Sequence, residues 1–267
     1  MKKIFFVGVA LLSMNGLQAQ QKEGKVVYER TMQIQIQISD NGNDALQRML
    51  PKSRTDKFEL SFGNNQSIYK HVDEDQQSDD FGGGGMQIRM MGPGTDDVTY
   101  YNFDNATKTE QRVMFEKKFL VSDSIRKLTW KLGEDTKTIL GHVCHKATAQ
   151  RVGKRMTMNI DNGVMQKKEI SDTTNITAWF TSDIPVPAGP EVGGQLPGLI
   201  LALDMNDGKQ TYVAKELSEK VDLGSIKEPS KGKKVTPDEF VAERNKMMDE
   251  LQKNNQGGGR QVIRIQN

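Results

Sequence analysis

The sequence is short of the residues on which several common kinds of protein site depend. Its 267 residues include one cysteine, three histidines, 10 phenylalanines, five tyrosines and two tryptophans. A single cysteine excludes an intramolecular disulfide, so a fold of this size depends on its core for stability. The small number of aromatic side chains argues against a large aromatic-lined groove. The formal net charge of only +2 excludes the basic surface of a nucleic-acid-binding domain.

Motifs of hydrolytic and phosphate-binding enzymes are also missing. The sequence has no Gly-x-Ser-x-Gly elbow and no His-Glu-x-x-His pair. The glycine run at residues 82–85 is not followed by the Lys-Ser/Thr pair of a phosphate-binding loop. We therefore expect a protein that is not an enzyme.

The first residues have the pattern of a secretory signal peptide. Lys2 and Lys3 precede an apolar run at residues 4–12, and the small residue Ala19 precedes the expected cleavage site. The apolar run is shorter than the ~20 residues of a membrane-spanning helix, so we expect no transmembrane anchor. The sequence predicts a signal peptide over residues 1–19. The mature protein is then exported to the periplasm, the outer membrane or the cell exterior.

Alternation of apolar and polar residues predicts a protein built mainly of β-strands. Residues 24–39 alternate with a period of two, which is typical of a half-buried antiparallel strand. Further strands are predicted at residues 56–62, 65–71, 97–103, 107–115, 118–122, 126–131, 136–143, 146–152, 154–160, 165–170, 175–180, 199–205 and 210–216. Turn residues separate them, and the helical crossovers of a parallel sheet are missing. We therefore predict an all-β, mainly antiparallel fold over residues 20–254. The predicted architecture is one large curved sheet, a half-barrel or a sandwich.

Two helices, an insertion and a tail complete the predicted fold. A short helix is expected near residues 43–50, and a capping box at residues 236–239 starts a C-terminal helix that packs on the sheet. Residues 73–96 are acidic and rich in glycine, which predicts a flexible insertion between two strands. Residues 255–267 are expected to form a loose tail or an edge strand.

The segment at residues 178–204 resembles the GLPGLI family of exported bacterial proteins. The hexapeptide that names the family reads Gln-Leu-Pro-Gly-Leu-Ile at residues 195–200, with glutamine in place of the first glycine. Residues 139–147, which contain Gly, Cys and Lys-Ala, are also similar to the family. The resemblance implies an exported envelope protein, but it implies no reaction, because no biochemical activity is assigned to the family.

Two interpretations of this segment remain open. Pro197 and Gly198 suit the second and third positions of a type II turn, and Leu199 begins a strand that is apolar on both faces. The segment is then a rigid loop tucked against the sheet. The alternative is a docking ridge for another envelope protein. The residues of that ridge are Trp179, Pro185, Pro190, Gln195, Leu196, Pro197, Gly198, Leu199 and Ile200.

A metal site is the alternative functional hypothesis, with copper or zinc bound by His142, Cys144 and His145. Sulfur and imidazole ligands suit both metals. In an extended strand His142 and Cys144 share one face while His145 points away, so the three meet only around a bulge. Otherwise Cys144 is a buried apolar side chain. Methionine thioethers are further potential ligands, namely Met86, Met90, Met91, Met156, Met158 and Met165.

The leading hypothesis is a non-enzymatic envelope protein that needs no cofactor. A curved sheet of this kind can carry an apolar small molecule inside its curve. It can equally dock onto an outer-membrane or other envelope protein. The sequence leaves both forms of this binding function open.

Overall fold

The computed structural model describes most of the predicted strands. The described residues are 21–33, 52–72, 96–114, 116–161 and 164–255, with the backbone alone described for 154–161, 164–169 and 251–255. The predicted signal peptide, the short helix near residues 43–50, the end of the first predicted strand and nearly all of the insertion and tail lie outside these ranges.

Within the described residues the chain forms twelve strands and one helix. The strands are β1 (Gly24–Gln33), β2 (Ser53–Gly63), β3 (Gln66–His71), β4 (Val98–Asn102), β5 (Thr107–Met114), β6 (Lys117–Ser124), β7 (Lys131–Ile139), β8 (His142–Asp161), β9 (Val164–Thr181), β10 (Leu199–Met205), β11 (Gln210–Ser218) and β12 (Lys233–Val235). The helix is α1 (Pro237–Asn255), and a single 3-10 turn occupies Leu223–Ser225.

All twelve strands belong to one sheet, which confirms the predicted all-β fold. The strand order is β12-β6-β5-β4-β3-β2-β1-β11-β10-β9-β8-β7. Every neighbouring pair is antiparallel except β12 and β6, which run parallel over three residues. The central strands β1 and β11 therefore join the two halves of the chain.

The connection between β6 and β7 requires the sheet to curve strongly. These strands lie ten places apart in the sheet order, which is about 48 Å in a flat sheet with strands about 4.8 Å apart. Only residues 125–130 connect them, and an extended chain of that length reaches about 25 Å. The sheet must therefore curl into a half-barrel, and we call residues 125–130 the bridging segment.

The first strand shows how the alternating pattern builds the core. Val26, Tyr28 and Arg30 are buried, while the residues between them are partly exposed. Val26 and Tyr28 pair with Leu60 and Phe58 of β2, and both of these are buried as well. Period-two alternation thus places one face of the described part of β1 in the core, as the sequence predicted.

Residues 182–198, between β9 and β10, fill the concave side of the sheet, and we call them the packing loop. Five of its apolar side chains are buried in the main core: Ile184, Val186, Ala188, Val192 and Leu196. The loop is tied to β10 because Leu199 N–H donates to the Ile184 carbonyl (3.0 Å) and Ile200 N–H to the Ala188 carbonyl (2.9 Å). The packing loop therefore covers the core side of the sheet, as a second sheet does in a β-sandwich.

A charged cluster is buried beside this apolar core. Asp56 Oδ2 accepts a hydrogen bond from Arg30 Nη2 at 2.9 Å, and Asp56 Oδ1 lies 2.7 Å from Arg54 Nη2. The Arg30 and Asp56 side chains are only 7% and 5% exposed. The Arg30 guanidinium also lies 4.4 Å from the centre of the Phe58 ring. One carboxylate thus pairs with two guanidinium groups at this position.

Several predicted strand boundaries were wrong, each for a local reason. Residues 126–130 are not a strand, because the bridging segment leaves the sheet there and pairing resumes at Lys131. The strand predicted at residues 136–143 is broken by a hairpin turn, where Leu140 and Gly141 have φ values of 49° and 84°. The four strands predicted between residues 146 and 180 are in fact the two long strands β8 and β9. The short strand β12 was not predicted.

The C-terminal helix begins and packs as predicted. Glu239 N–H donates to Thr236 Oγ1 (3.2 Å), and Thr236 N–H donates to Glu239 Oε2 (2.7 Å), which is a capping box. Phe240 and Met247 of the helix pack against Phe119 and other buried residues of β6 and β12. No helix in the described part of the chain is long and apolar enough to cross a membrane.

Candidate functional site

Most of the family-like motif lies inside the protein. Leu196, Leu199 and Ile200 are at most 3% exposed, and Pro190 and Gly198 are also buried. Pro185 and Pro197 are exposed. The motif therefore forms part of the core, and few of its side chains are available to another protein.

Gly198 is needed for a different reason from the one predicted. It does not have the positive φ of a type II turn, and its N–H donates to the Leu196 carbonyl at 2.9 Å, so the predicted turn was wrong. A Cβ atom at this position would lie 2.1 Å from the Thr181 carbonyl oxygen. Glycine is required because the packing loop passes directly against the backbone of β9.

Trp179 is half-buried under two lysine side chains. Lys137 Nζ lies 4.3 Å and Lys146 Nζ 5.9 Å from the ring centre. These distances are typical of cation–π contacts. The indole ring is therefore partly covered by the side chains of Lys137 and Lys146.

Gln195 holds the bridging segment against the packing loop. Its Oε1 accepts hydrogen bonds from Leu128 N–H at 2.8 Å and from Trp130 Nε1–H at 3.2 Å. The residue at which the sequence departs from the family hexapeptide thus fastens the segment that spans the opening of the half-barrel.

Replacing Gln195 with alanine is expected to lower the free energy of unfolding by about 1–2 kcal/mol, because two donors lose their shared acceptor. Gln195→Glu keeps an acceptor oxygen and should lose less. Urea unfolding of the two variants and the unmodified protein measures the difference. Equal losses for both variants would show that the acceptor oxygen is not what matters.

A cleft of about 450 Å³ opens between the bridging segment, the packing loop and the base of the β8–β9 hairpin. Tyr101, Lys108 and Asp123 lie side by side along one wall, since Lys108 pairs with both of the others in the sheet. Arg151 and its partner Thr174 belong to the hairpin side of the cleft. The volume is that of a binding site for a small ligand or a peptide segment.

Glu191 of the packing loop is held in a strained conformation at this cleft. Its φ of 59° lies in the left-handed region, which residues other than glycine rarely adopt outside turns. Tyr101 O–H donates to the Glu191 carbonyl at 3.2 Å, and Tyr212 O–H donates to Glu191 Oε1 at 2.7 Å. Burial, reinforced by the Glu191 carboxylate, raises the pKa of both tyrosines. Both phenols therefore remain donors at neutral pH.

Most charges at the cleft are already paired. Arg126 Nη2 lies 3.0 Å from Asp123 Oδ2, and Lys108 Nζ lies 3.2 Å from Glu110 Oε1. Burial alone would raise the pKa of Glu110, but Arg112 and Lys108 outweigh it and hold this pKa below its ordinary value. Among the described residues the side chain of Arg151 has neither an ion-pair nor a hydrogen-bond partner. The cleft therefore presents one unpaired positive charge.

The three predicted metal ligands have separate surroundings. His142 Nδ1 lies 3.1 Å from Asp183 Oδ2, and the His145 ring contacts Phe180 with 6.1 Å between ring centres. Cys144 is fully buried in the main core. Within the described ranges, no three His, Cys, Asp or Glu side chains are placed to hold a metal ion. The methionine side chains suggested as further ligands, Met86, Met90, Met91, Met156, Met158 and Met165, lie outside the described part.

Cys144 is expected to resist thiol reagents in the folded protein. Burial raises the pKa of its thiol to about 11, so at pH 8 about one molecule in a thousand carries the reactive thiolate, even before access is considered. Ellman's reagent should label it only slowly in native buffer and fully in denaturant. Complete labelling of the native protein within minutes would contradict its burial.

A family model without an assigned function matches the part of the chain that contains the motif. A family model described as "Protein of unknown function (Porph_ging)" matches residues 130–202, which run from the end of the bridging segment into β10. A comparison with curated proteins finds no match.

Two solved structures of PNGF-II are similar to this chain. The structure in the P21 space group has 14% identity and a TM-score of 0.49, and the one in the C2 space group has 16% identity and a TM-score of 0.45. The matches cover 83% and 81% of this chain. They cover only 32% of each PNGF-II chain, so this chain spans about a third of the length of the structures it matches.

Sequence reasoning missed the residues that build the cleft. Tyr101, Arg151 and Glu191 come from β4, β8 and the packing loop, and none stands in a motif with a recognised chemical role. The one available signal was the position of Glu191 within the family-like segment, between Pro190 and the glycines that follow. The sheet brings these residues together only because it curls.

Proposed function

We propose that this chain is an exported, non-enzymatic cell-envelope protein of the GLPGLI type that docks onto another envelope protein through the cleft. The construction of the cleft is the observation that carries the proposal. Glu191 and Gln195 fix the packing loop against β4, β11 and the bridging segment. Arg151 lines the cleft, and its side chain has no partner within the described ranges. Rigid walls with an unpaired charge are typical of a recognition site.

The filled interior favours docking over the carriage of an apolar molecule. The packing loop occupies the concave side of the sheet, and its apolar side chains Ile184 and Leu196 are at most 3% exposed. The cleft beside it is lined by charged residues as well as by Ile125 and Leu128. Such a mixed lining suits a segment of protein better than a purely apolar ligand.

The lining of the cleft also favours binding over catalysis. Among its described lining residues there is neither a histidine, which is the most common general base in enzymes, nor a cysteine, which is a strong nucleophile. The carboxylates of Asp123 and Glu191 are already engaged by Arg126 and Tyr212. The charges are therefore arranged to hold a partner in position.

Site-specific photo-cross-linking in the cells that produce the protein tests this proposal. A benzophenone side chain at Arg126, which is 77% exposed at the cleft, should capture one defined envelope protein. The same group at the exposed Lys209, in the turn between β10 and β11, is the control and should not capture it. Absence of a specific cross-linked product at position 126 would contradict docking through the cleft.

The intact mass of the isolated protein would also show whether residues 1–19 are removed.

A further inference from the structure

The outer edge of β8 loses its neighbouring strand at the cleft. The ladder between β7 and β8 ends where Lys131 pairs with Thr148. The ladder between β8 and β9 continues to the pair Asp161 and Val164. Within the described residues no strand pairs with the outer edge of β8 beyond Thr148. Backbone N–H and C=O groups are therefore available from Ala149 onward.

The open part of this edge lines the cleft. Arg151, Val152 and Gly153 are among the lining residues, and the Val152 side chain is 73% exposed. Apart from its chain neighbours, no atom of the described residues lies within 4 Å of the position that a Cβ atom would take at Gly153. Gln195 holds the bridging segment against the packing loop, and Ile125 and Leu128 of that segment line the same cleft as this edge. The result is a slot of about 17 Å beside residues 149–153, which fits an extended backbone.

The charge of the slot selects the side chains of an added strand. In an extended segment alternate side chains point to the same face, so one set would face the side of β8 that carries Arg151. Arg126 and Lys108 are paired with carboxylates of this chain, whereas the Arg151 side chain has no carboxylate partner among the described residues. A carboxylate is the group that matches a guanidinium in charge and in planar hydrogen-bonding geometry.

We propose that the cleft binds an extended acidic segment of a partner protein, which adds as a strand to the outer edge of β8 at residues 149–153. A glutamate or aspartate of that segment pairs with Arg151, and the main-chain hydrogen bonds of the added strand supply the rest of the interaction. The inference rests on the proposed docking function and names the chemistry of the partner.

Binding of defined peptides to the full chain tests this inference. The probe is a fluorescent ten-residue peptide that alternates threonine and glutamate, and its control carries lysine in place of glutamate. We expect the acidic peptide to bind and to slow amide exchange in fragments that contain residues 149–153. Arg151→Glu should weaken binding at least about tenfold, whereas Lys209→Glu, an equal change of charge outside the cleft lining, should not. Unchanged thermal melting shows that both variants fold.

Three outcomes would overturn the inference: no binding of the acidic peptide, equal binding of the lysine peptide, or binding without slower exchange at residues 149–153. The cross-linking experiment separates its failure from that of the proposed function. A partner captured at Arg126 together with failure of the peptide would leave docking intact and remove the added acidic strand. If neither cross-linking nor peptide binding succeeded, both the docking function and the added acidic strand would be contradicted.

Discussion

Gly198→Ala is expected to lower the free energy of unfolding by roughly 3 kcal/mol or more, or to prevent folding altogether. The new methyl group would lie 2.1 Å from the carbonyl oxygen and 2.8 Å from the carbonyl carbon of Thr181. Both are backbone atoms of β9, so relief requires a strand or the packing loop to move. Urea unfolding of the purified variant, or its soluble yield if it does not fold, measures the effect.

Gly153→Ala is the matched control for this substitution. Beyond the adjacent residues of the chain, the described part of the protein has no atom within 4 Å of the added methyl group, and Gly153 does not have a positive φ. Its unfolding free energy should therefore change by less than about 1 kcal/mol. If both alanine variants unfolded at the same urea concentration, close approach of the backbones would not be the reason for glycine at position 198.

Asp56→Ala is the second substitution with a large expected effect, a loss of about 3–5 kcal/mol. The change leaves Arg30 buried without its carboxylate and also removes one partner of Arg54. An uncompensated guanidinium in the core is costly because it has lost the hydration that the unfolded chain provides. Chemical unfolding monitored by tryptophan fluorescence measures the loss.

An exposed ion pair on neighbouring strands provides the comparison. Lys215 Nζ lies 3.1 Å from Glu29 Oε1, and both side chains are partly open to solvent (46% and 34%). Glu29→Ala should cost at most about 1 kcal/mol, since water replaces most of the lost interaction. Replacing Arg30 and Asp56 together by methionine and leucine should recover much of the loss seen for Asp56→Ala. Similar losses at Glu29 and Asp56 would contradict the importance of burial.

The strands that could be predicted from sequence are those whose pattern is set by their own residues. β10 has the predicted bounds, Leu199–Met205, because its residues are apolar on both faces and turn residues flank it. The bridging segment was mistaken for a strand because its conformation depends on Gln195, which is distant in sequence. The sequence pattern of a segment shows whether it can form a strand, but hydrogen bonds to distant residues determine whether it does so in the folded protein.

The same limit applies to the candidate site. The resemblance at residues 195–200 lies beside the candidate cleft, which Gln195 lines, and the predicted strand after Gly198 is present. The turn rule nevertheless gave the wrong reason for the glycine, because the neighbouring strand at Thr181 was not known. Arg151 could not be recognised either, since its significance depends on where β7 stops pairing with β8.

The position of β1 in the centre of the sheet has a consequence for the order of folding. Val26 pairs with Leu217, near the opposite end of the described chain, whereas β1 to β6 pair with their sequence neighbours. The first half can form a meander early, but one edge of β1 then stays open until β11 is available. Closing so long a loop is slow, and an open apolar edge favours aggregation meanwhile. A chain with this topology gains from remaining unfolded until the residues of β11 are also available to pair.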